Sequence, residues 1–450
     1  MTKHCSDVLI LGAGAAGLAA AAELAAAGHS ALLLEARDRV GGRAWTRNEP
    51  DFPIPIEMGA EFIHGRAAAT FDLLRKAGLA AMDAPESHWS LRDGKLEPME
   101  ERAFENIQQA MQRADILGRR DTSFENFLRR GTKYGLSAEE CAFARMFVEG
   151  FDAADPALVS AHSIAEEWRS GGAADSPQFR PTGGYGALFT ALVRRIGGSS
   201  VQLRLQTNIR TVKWRRGAVE MRGSTLGRPF QANARRAIVT LPLGILQLRA
   251  GVPGAVRFNP SLSAKRQALK YLAAGPVLKV MMRFRSAFWE ELDRSRYRDA
   301  AFFHAPGFEF PTFWTALPLR APMLIAWVGG PGAARMSNAS EAQIVHRAVQ
   351  CLKAIFGRRC DAAAQLEAAW CHNWQRDPLA RGAYSYITAG GAGAREKLAA
   401  PLDETLFFAG EAADVAGEAG TVAGALQSGT SAARRIIEAN LAYNSPPTRG

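Results

Sequence analysis

Residues 8–35 read VLILGAGAAGLAAAAELAAAGHSALLLE, and this stretch decides the fold. An apolar strand, Val8 to Leu11, turns through Gly12-Ala13-Gly14-Ala15-Ala16-Gly17 into an Ala-rich helix that stops at Gly28. A second apolar strand then ends on Glu35. In such a unit Gly12 makes the tight turn, Gly14 lets backbone approach a pyrophosphate, and Gly17 lets helix pack closely on strand. The helix N-terminus offers free N–H groups and the positive end of a dipole to the diphosphate. Glu35, about 20 residues after Gly14, stands where a carboxylate accepts a hydrogen bond from a ribose 2′-OH. The glycine pattern alone is weak evidence in a chain this rich in Gly and Ala. Strand, helix, second strand and terminal acid together make it a dinucleotide site.

The 450-residue chain, 47% hydrophobic, is long enough to bury two cores. It holds no apolar run of about 18 residues, so no membrane span is predicted. The opening MTKHCSDVLI enters its first strand at once and leaves no room for a signal peptide. Cys5, Cys141, Cys351, Cys360 and Cys371 lack CxxC or zinc-type spacing, which predicts reduced thiols, no metal site and a cytoplasmic location. A net charge of +11 raises the question of nucleic acid. The arginines are spread along the chain with no basic run interleaved with aromatics, which argues against that partner.

Past Glu35, the Gly-bearing segment Arg37 to Arg43 reads either as a second diphosphate contact or as an ordinary surface turn. EMGAEFIHG, Glu57 to Gly65, has the small residues that let backbone approach a flat ligand. From residue 66 to 180 apolar residues such as Phe71, Leu74, Ile107, Met111, Phe124 and Leu128 recur at helical spacing, predicting a mostly helical insertion. Gly171-Gly172 and Asp175-Ser176-Pro177 punctuate its end, and Gly183 to Gly186 lead into a helix near 187–195. Residues 201–246 read as strands that return to the first sheet. Residues 277–284, 323–328 and 365–374 form a second strand-rich block with a helix near 341–356. Phe407-Phe408 is a short strand before Gly410, and 421–440 is the closing helix. The segment Trp327 to Arg335 has Arg335 where a third glycine is needed, so it reads as a turn and not as a second dinucleotide site.

The predicted class is α/β, a Rossmann-type dinucleotide-binding domain interleaved with a mixed α+β substrate domain that carries a helical insertion. The cofactor domain takes residues 1–85, 188–257 and 375–440. The substrate domain takes 86–187 (helical) and 258–374 (strand-rich), and 441–450 form a frayed tail.

At this point the chain resembles the flavin amine oxidase family, which includes monoamine oxidases, polyamine oxidases and related histone demethylases. The likeness is carried by LILGAGAAGL with Glu35, GGR at Gly41 to Arg43, EMGAEFIHG, RPTGGYGAL, TLPLGIL, GPVLKVMMRF, WQRDPLARGAYSY and FFAGEAADVAGEAGTVAGALQSG. The family implies FAD in an extended pose across both domains. By position, Gly12, Gly14, Ala15 and Gly17 meet the diphosphate, Glu35 the adenosine ribose, and Arg37, Gly42 and Arg43 the diphosphate again. Val212 holds the adenine through its backbone, although a core strand residue is the simpler reading of that position. Met58, Gly59, Ala60, Glu61, Gly410, Glu411, Thr421 and Val422 line the ribityl chain and the isoalloxazine ring.

Four positions bear on chemistry. Lys279 is one cation in an apolar strand, on the same face as Val277 and Met281, where burial is costly without a purpose. The family has a lysine there that holds a water against flavin N5. Tyr384 resembles one wall of an aromatic cage for a neutral amine, Trp374 a tryptophan packed near the flavin, and His64 an active-site histidine of polyamine oxidases. Unaided, Lys279 also reads as an exposed strand residue, Tyr384 as a strand aromatic and His64 as a structural histidine. Departures from the monoamine oxidases are informative. Ala383 replaces the cysteine that tethers their flavin, which implies non-covalent FAD, and Thr421 replaces their second cage tyrosine. No inserted coiled-coil tower is seen, which points away from a demethylase. The resemblance thus implies oxidation of a small-molecule amine by hydride transfer to flavin N5, imine hydrolysis, and reoxidation by O2 to give H2O2. Two competitors share the frame: a desaturase or porphyrinogen-oxidase-like enzyme, and a non-catalytic FAD-binding interaction protein.

Overall fold

The computed structural model describes residues 3–65, 67–99, 102–169, 177–357 and 361–444. The motif opens a five-stranded parallel sheet, ordered Val201–Arg204, Ala31–Leu34, Val8–Leu11, Arg236–Val239, Leu406–Phe408. Its strands read as continuous apolar runs because both faces are covered. Val8, Ile10 and Leu33 point to one face, where helices Ala15–Ala26, Gly184–Ile196 and Val422–Asn444 pack. Leu9, Leu11, Leu32 and Leu34 point to the other, against a second sheet. Gly17 belongs to this packing: a Cβ there would collide with Gly12 O.

The second sheet corrects the reading of residues 201–246. Only Val201–Arg204 and Arg236–Val239 rejoin the parallel sheet. Thr207–Arg215, Ala218–Thr225 and Arg228–Ala234 form a separate antiparallel layer, flanked by Lys3–Cys5 and Arg257–Asn259. Period-2 alternation marks these strands but does not say which sheet they join.

The strand-rich block is a seven-stranded sheet, ordered Leu366–Asn373, Val277–Phe284, Met323–Gly329, Thr312–Thr315, Phe302–His304, His88–Arg92, Lys95–Pro98. Leu278, Val280 and Met282 face the helix Glu341–Phe356, whose Ser340 and Gln343 form a reciprocal capping box. Lys279, Met281 and Trp314 face the other way. Residues 66–180 are therefore not all helical: they also contribute Ala81–Ala84, the hairpin His88–Lys95 region and Gln178–Pro181. The four helices Arg102–Arg113, Phe124–Leu128, Ala138–Gly150 and Ala161–Arg169 do share one core. Gly330–Arg335 is a short helix, not a turn, and Cβ atoms on Gly329 and Gly330 would meet the backbone of residues Glu149 to Ala154. That junction is filled by protein, so it offers no phosphate site.

Gly171-Gly172, Asp175-Ser176 and Cys360 lie outside the described residues. Cys5, Cys141, Cys351 and Cys371 are free thiols. The closing helix runs to Asn444, into the stretch read as a tail, and 445–450 lie outside the described residues. No helix among the described residues is long and apolar enough to cross a membrane.

Candidate active site

A cavity of about 1570 Å³ runs from the glycine turn to the seven-stranded sheet and the helical group. Small-ligand pockets hold roughly 300–1,000 Å³, so this one has room for a dinucleotide and a second molecule. At one end Gly14 begins the helix Ala15–Ala26 with no side-chain cap, leaving first-turn N–H groups free for an anion. A Cβ on Gly14 would meet no atom within 4 Å, so the missing side chain opens the backbone to the cavity. Gly12 turns there at φ +108, a conformation glycine tolerates. Glu35 directly follows the strand Ala31–Leu34, with Oε2 accepting from Ala13 N (2.8 Å) and Oε1 from Arg37 N (2.9 Å). Burial raises its pKa against those two N–H bonds, which leave lone pairs on the carboxylate open to a further donor. These features fit the pyrophosphate and ribose of FAD. Glu35→Ala is expected to weaken FAD binding by about 1–3 kcal/mol, the scale of a hydrogen bond to a charged group. Equilibrium dialysis reads it, and an unchanged Kd leaves Glu35 only its role in bracing the loop.

Along the cavity wall Arg43 donates to Glu411 Oε1 (2.9 Å) and to Ala383 O. Glu411 also accepts from Ser385 N and Oγ (3.1 and 2.6 Å). Burial pushes Glu411 upward, but Arg43 and Arg395 outweigh it and leave a net lowered pKa. Arg37 pairs with Asp377 (2.9 Å), which His372 Nε2 also contacts at 2.8 Å. Thr421 Oγ1 donates to Glu418 O and accepts from Gly424 N, tying down the start of the closing helix at the cavity. Gly42, Gly59, Ala60, Gly410 and Val422 line the same wall.

Two of the expected contact residues are not among those that line the cavity. The Val212 side chain is fully buried in the strand Thr207–Arg215. A bulge between Ile209 and Thr211 shifts that strand, and Thr207, Asn208 and Ile209 line the cavity instead. Met58 is also off the wall: its carbonyl accepts the Nε1 proton of Trp374 at 3.1 Å, so it positions the ring from behind.

Lys279 is 1% exposed, and its Nζ donates to Glu61 Oε2 (2.6 Å) and Gly59 O (3.0 Å). Glu61 also pairs with Arg180 and accepts from Trp314 Nε1 at 3.2 Å. Glu61 is thus the hub of an ion-pair cluster that sequence reasoning did not see. Arg180 further donates to Leu317 O and Thr315 O and lies 4.3 Å over the Phe62 ring. Glu57 completes a neutral quartet of two carboxylates and two cations. It accepts from Tyr185 N (2.7 Å) and Thr46 Oγ1 (2.9 Å), and burial drives its pKa up to about 7 against Lys279. Burial pulls Lys279 down to about 7, with Glu57 opposing and Arg180 adding.

Tyr384 donates to Phe151 O, and burial followed by Asp152 and Glu167 holds its phenol well above the usual range. His64 lines the cavity with its ring 5.4 Å from Phe151, its Nδ1 buried without a hydrogen-bond partner among the described residues, and its pKa pushed down to about 4 by burial. Lys279, Trp374, Tyr384 and His64 therefore share one cavity.

The flavin-containing amine oxidoreductase family model matches residues 15–437. The chain belongs to this family. The oxidoreductase is 28% identical over 465 residues to lysine-specific histone demethylase 1 homolog 2 of Oryza sativa subsp. japonica, covering 97% of this chain and 58% of that protein. It is 27% identical to polyamine oxidase 4 of the same plant, covering 96% of this chain and 89% of that one. The chain thus spans little more than half the length of the demethylase relatives. Among solved structures, putrescine oxidase bound to putrescine superposes with a TM-score of 0.80 at 21% identity, covering 97% of this chain and 100% of that one. Cyclohexylamine oxidase from Brevibacterium oxydans gives 0.79 at 22%, covering 97% and 99%. The fold is that of these two oxidases, and the cofactor of this flavin-containing amine oxidoreductase is FAD.

Proposed function

We propose that the protein oxidises a small-molecule amine of the polyamine or monoamine class, with O2 as acceptor and an imine and H2O2 as products. The observation that carries this reading is the continuity of one cavity from the dinucleotide cradle to Lys279, Trp374 and Tyr384. Bound FAD supplies a hydride acceptor at N5 for the carbon next to the amine nitrogen. The chain supplies position and environment. Trp374 presents a ring fixed by its bond to Met58 O, and Tyr384 one fixed by Phe151 O. Phe143, Phe147 and Phe151 line the amine end and exclude water. His64, held neutral, offers a polar atom without charge repulsion toward an incoming cation. Lys279 has three N–H donors, two of them engaged by Glu61 and Gly59, which leaves the third for a water in the cavity.

A panel of free polyamines and monoamines, read by anaerobic bleaching of the flavin absorbance, tests this; a fully loaded enzyme that none of them bleaches overturns it. Ala383 stands at the tethering position with its carbonyl on Arg43, so the FAD is held without a covalent bond. Acid precipitation is expected to release the flavin to the supernatant, and flavin kept in the pellet contradicts that.

A peptide-borne methylated lysine is the second reading, favoured by the likeness to demethylases. Peroxide formation from a dimethyl-lysine peptide but from no free amine selects it.

A further inference from the structure

Deep in the amine end of the cavity lies a carboxyl pair that the reading above does not use. Asp152 follows the helix Ala138–Gly150, and Glu167 stands on Ala161–Arg169. Both line the cavity, and their side chains hydrogen-bond to each other. Two carboxylates have no hydrogen between them, so that contact requires a shared proton. Asp152 is 8% exposed, and its Oδ2 finds no N–H or hydroxyl donor among the described residues. A second buried polar atom, His64 Nδ1, is likewise unpartnered on the same wall, its ring against Phe151 beside Asp152.

We propose that the Asp152–Glu167 pair takes the proton from an incoming alkylammonium, so that the amine meets the flavin neutral. This deepens the amine-oxidase reading and rests on it. The pair carries one proton and one negative charge when it receives the cation. An N–H bond of the ammonium breaks, a second O–H bond forms on the pair, and nitrogen keeps the electron pair needed for hydride to leave the adjacent carbon. The charges around the pair support that state. Arg395, on the helix Ala394–Ala399, faces Glu167 and favours its anion. Arg395 is itself anchored by Ser385 and shares its charge with Glu411 and Asp414. Tyr384 faces both acids as a neutral phenol, and His64 faces Phe151 as a neutral imidazole. On the pair's own elements, Glu149 is also raised by burial. Burial and the neighbouring acid raise Asp152 well above the carboxylate range, and burial raises Glu167, so the pair is a stronger base than an exposed carboxylate.

The test uses the FAD-loaded enzyme with Glu167→Gln and, separately, Asp152→Asn. Two substrates are compared by anaerobic stopped flow: a basic n-alkylamine and its β,β,β-trifluorinated analogue, whose lowered basicity leaves it mostly neutral at pH 7. Each variant is expected to lose between about tenfold and a thousandfold in reduction efficiency on the alkylamine at pH 7. The upper bound is the neutral fraction of an amine with a pKa near ~10. On the fluorinated amine each stays within about twofold, which also shows that it has folded. The acid limb of the pH profile moves up toward the amine's own pKa. A readout independent of turnover is calorimetric titration with a tert-alkylamine, whose carbon next to nitrogen carries no hydride to lose, in two buffers of different ionisation enthalpy. Wild-type enzyme should keep the ammonium proton, while the variants pass it to the buffer or bind the cation weakly. Equal losses on both amines, an unmoved pH limb, or proton release by the wild type overturns the proposal. If neither amine bleaches the wild-type flavin, the amine-oxidase reading itself has failed.

Discussion

Replacing Lys279 by Met is expected to slow reaction of the reduced enzyme with O2 at least about tenfold, roughly 1.4 kcal/mol of barrier. The strand Val277–Phe284 sends Leu278, Val280 and Met282 into the core under the helix Glu341–Phe356, and Lys279 to the cavity side with Val277. A charge costs several kcal/mol to bury, and Glu61 at 2.6 Å with Gly59 O at 3.0 Å offsets that cost. On the proposed function, a preorganised cation at this position would stabilise negative charge as it develops on O2. Methionine keeps the stem volume and deletes the charge. The pH dependence follows from the sign of the shift. Lys279 is lowered from the ordinary lysine range to about 7, so its charged form is present below that pH and lost above it. Glu57 titrates in the same region, so the limb belongs to the pair. Wild-type oxidation should fall as pH rises through neutrality, and Lys279→Met should be slow and flat. Stopped-flow mixing of pre-reduced enzyme with O2 reads both, and wild-type rates in the variant return Lys279 to a structural ion-pair role. Amine binding should change little.

The parts of this site legible in the sequence are those whose chemistry is local. The glycine turn, its helix and Glu35 lie within one βαβ unit, and the cavity-facing position of Lys279 follows from period-2 alternation. The hairpin His88–Pro98 was legible and missed. Asp93 and Gly94, at φ +46 and +74, form the Asp-Gly turn that joins tight hairpins, but the helical periodicity on either side masked it. The ion pairs were not legible, because each joins distant segments: Arg43 and Glu411 are 368 residues apart, and Lys279 and Glu61 are 218 apart. Asp152 illustrates the same limit. In sequence it is one acid after a helix, and only the packing of Ala161–Arg169 against that helix end gives it Glu167.

Arg180 shows what such a pair contributes to the frame, and its replacement is expected to have the largest effect on stability. Its guanidinium contacts Glu61, donates to two backbone carbonyls, Leu317 O and Thr315 O, and covers the Phe62 ring. The strand Gln178–Pro181 thereby ties Glu61 to the segment that follows Thr312–Thr315. Arg180→Met keeps much of the apolar stem but leaves Glu61 short of one cation and two carbonyls short of a donor. Breaking one partner out of a buried pair costs about 3–5 kcal/mol, mostly the uncompensated charge. Adding Glu61→Gln removes that charge, so the double variant should recover part of the loss, and the cycle measures the coupling. Chemical unfolding at fixed FAD concentration is the measurement. A single variant within about 0.5 kcal/mol of wild type would mean that the Glu61–Lys279 pair is self-sufficient. The oxygen reaction gives a second reading of the same change. Arg180 is one of the charges holding the Lys279 pKa down, so its removal should shift the alkaline fall in O2 reactivity to higher pH. A limb that stays at neutrality while stability falls would separate the two roles, leaving Arg180 as a structural strut only.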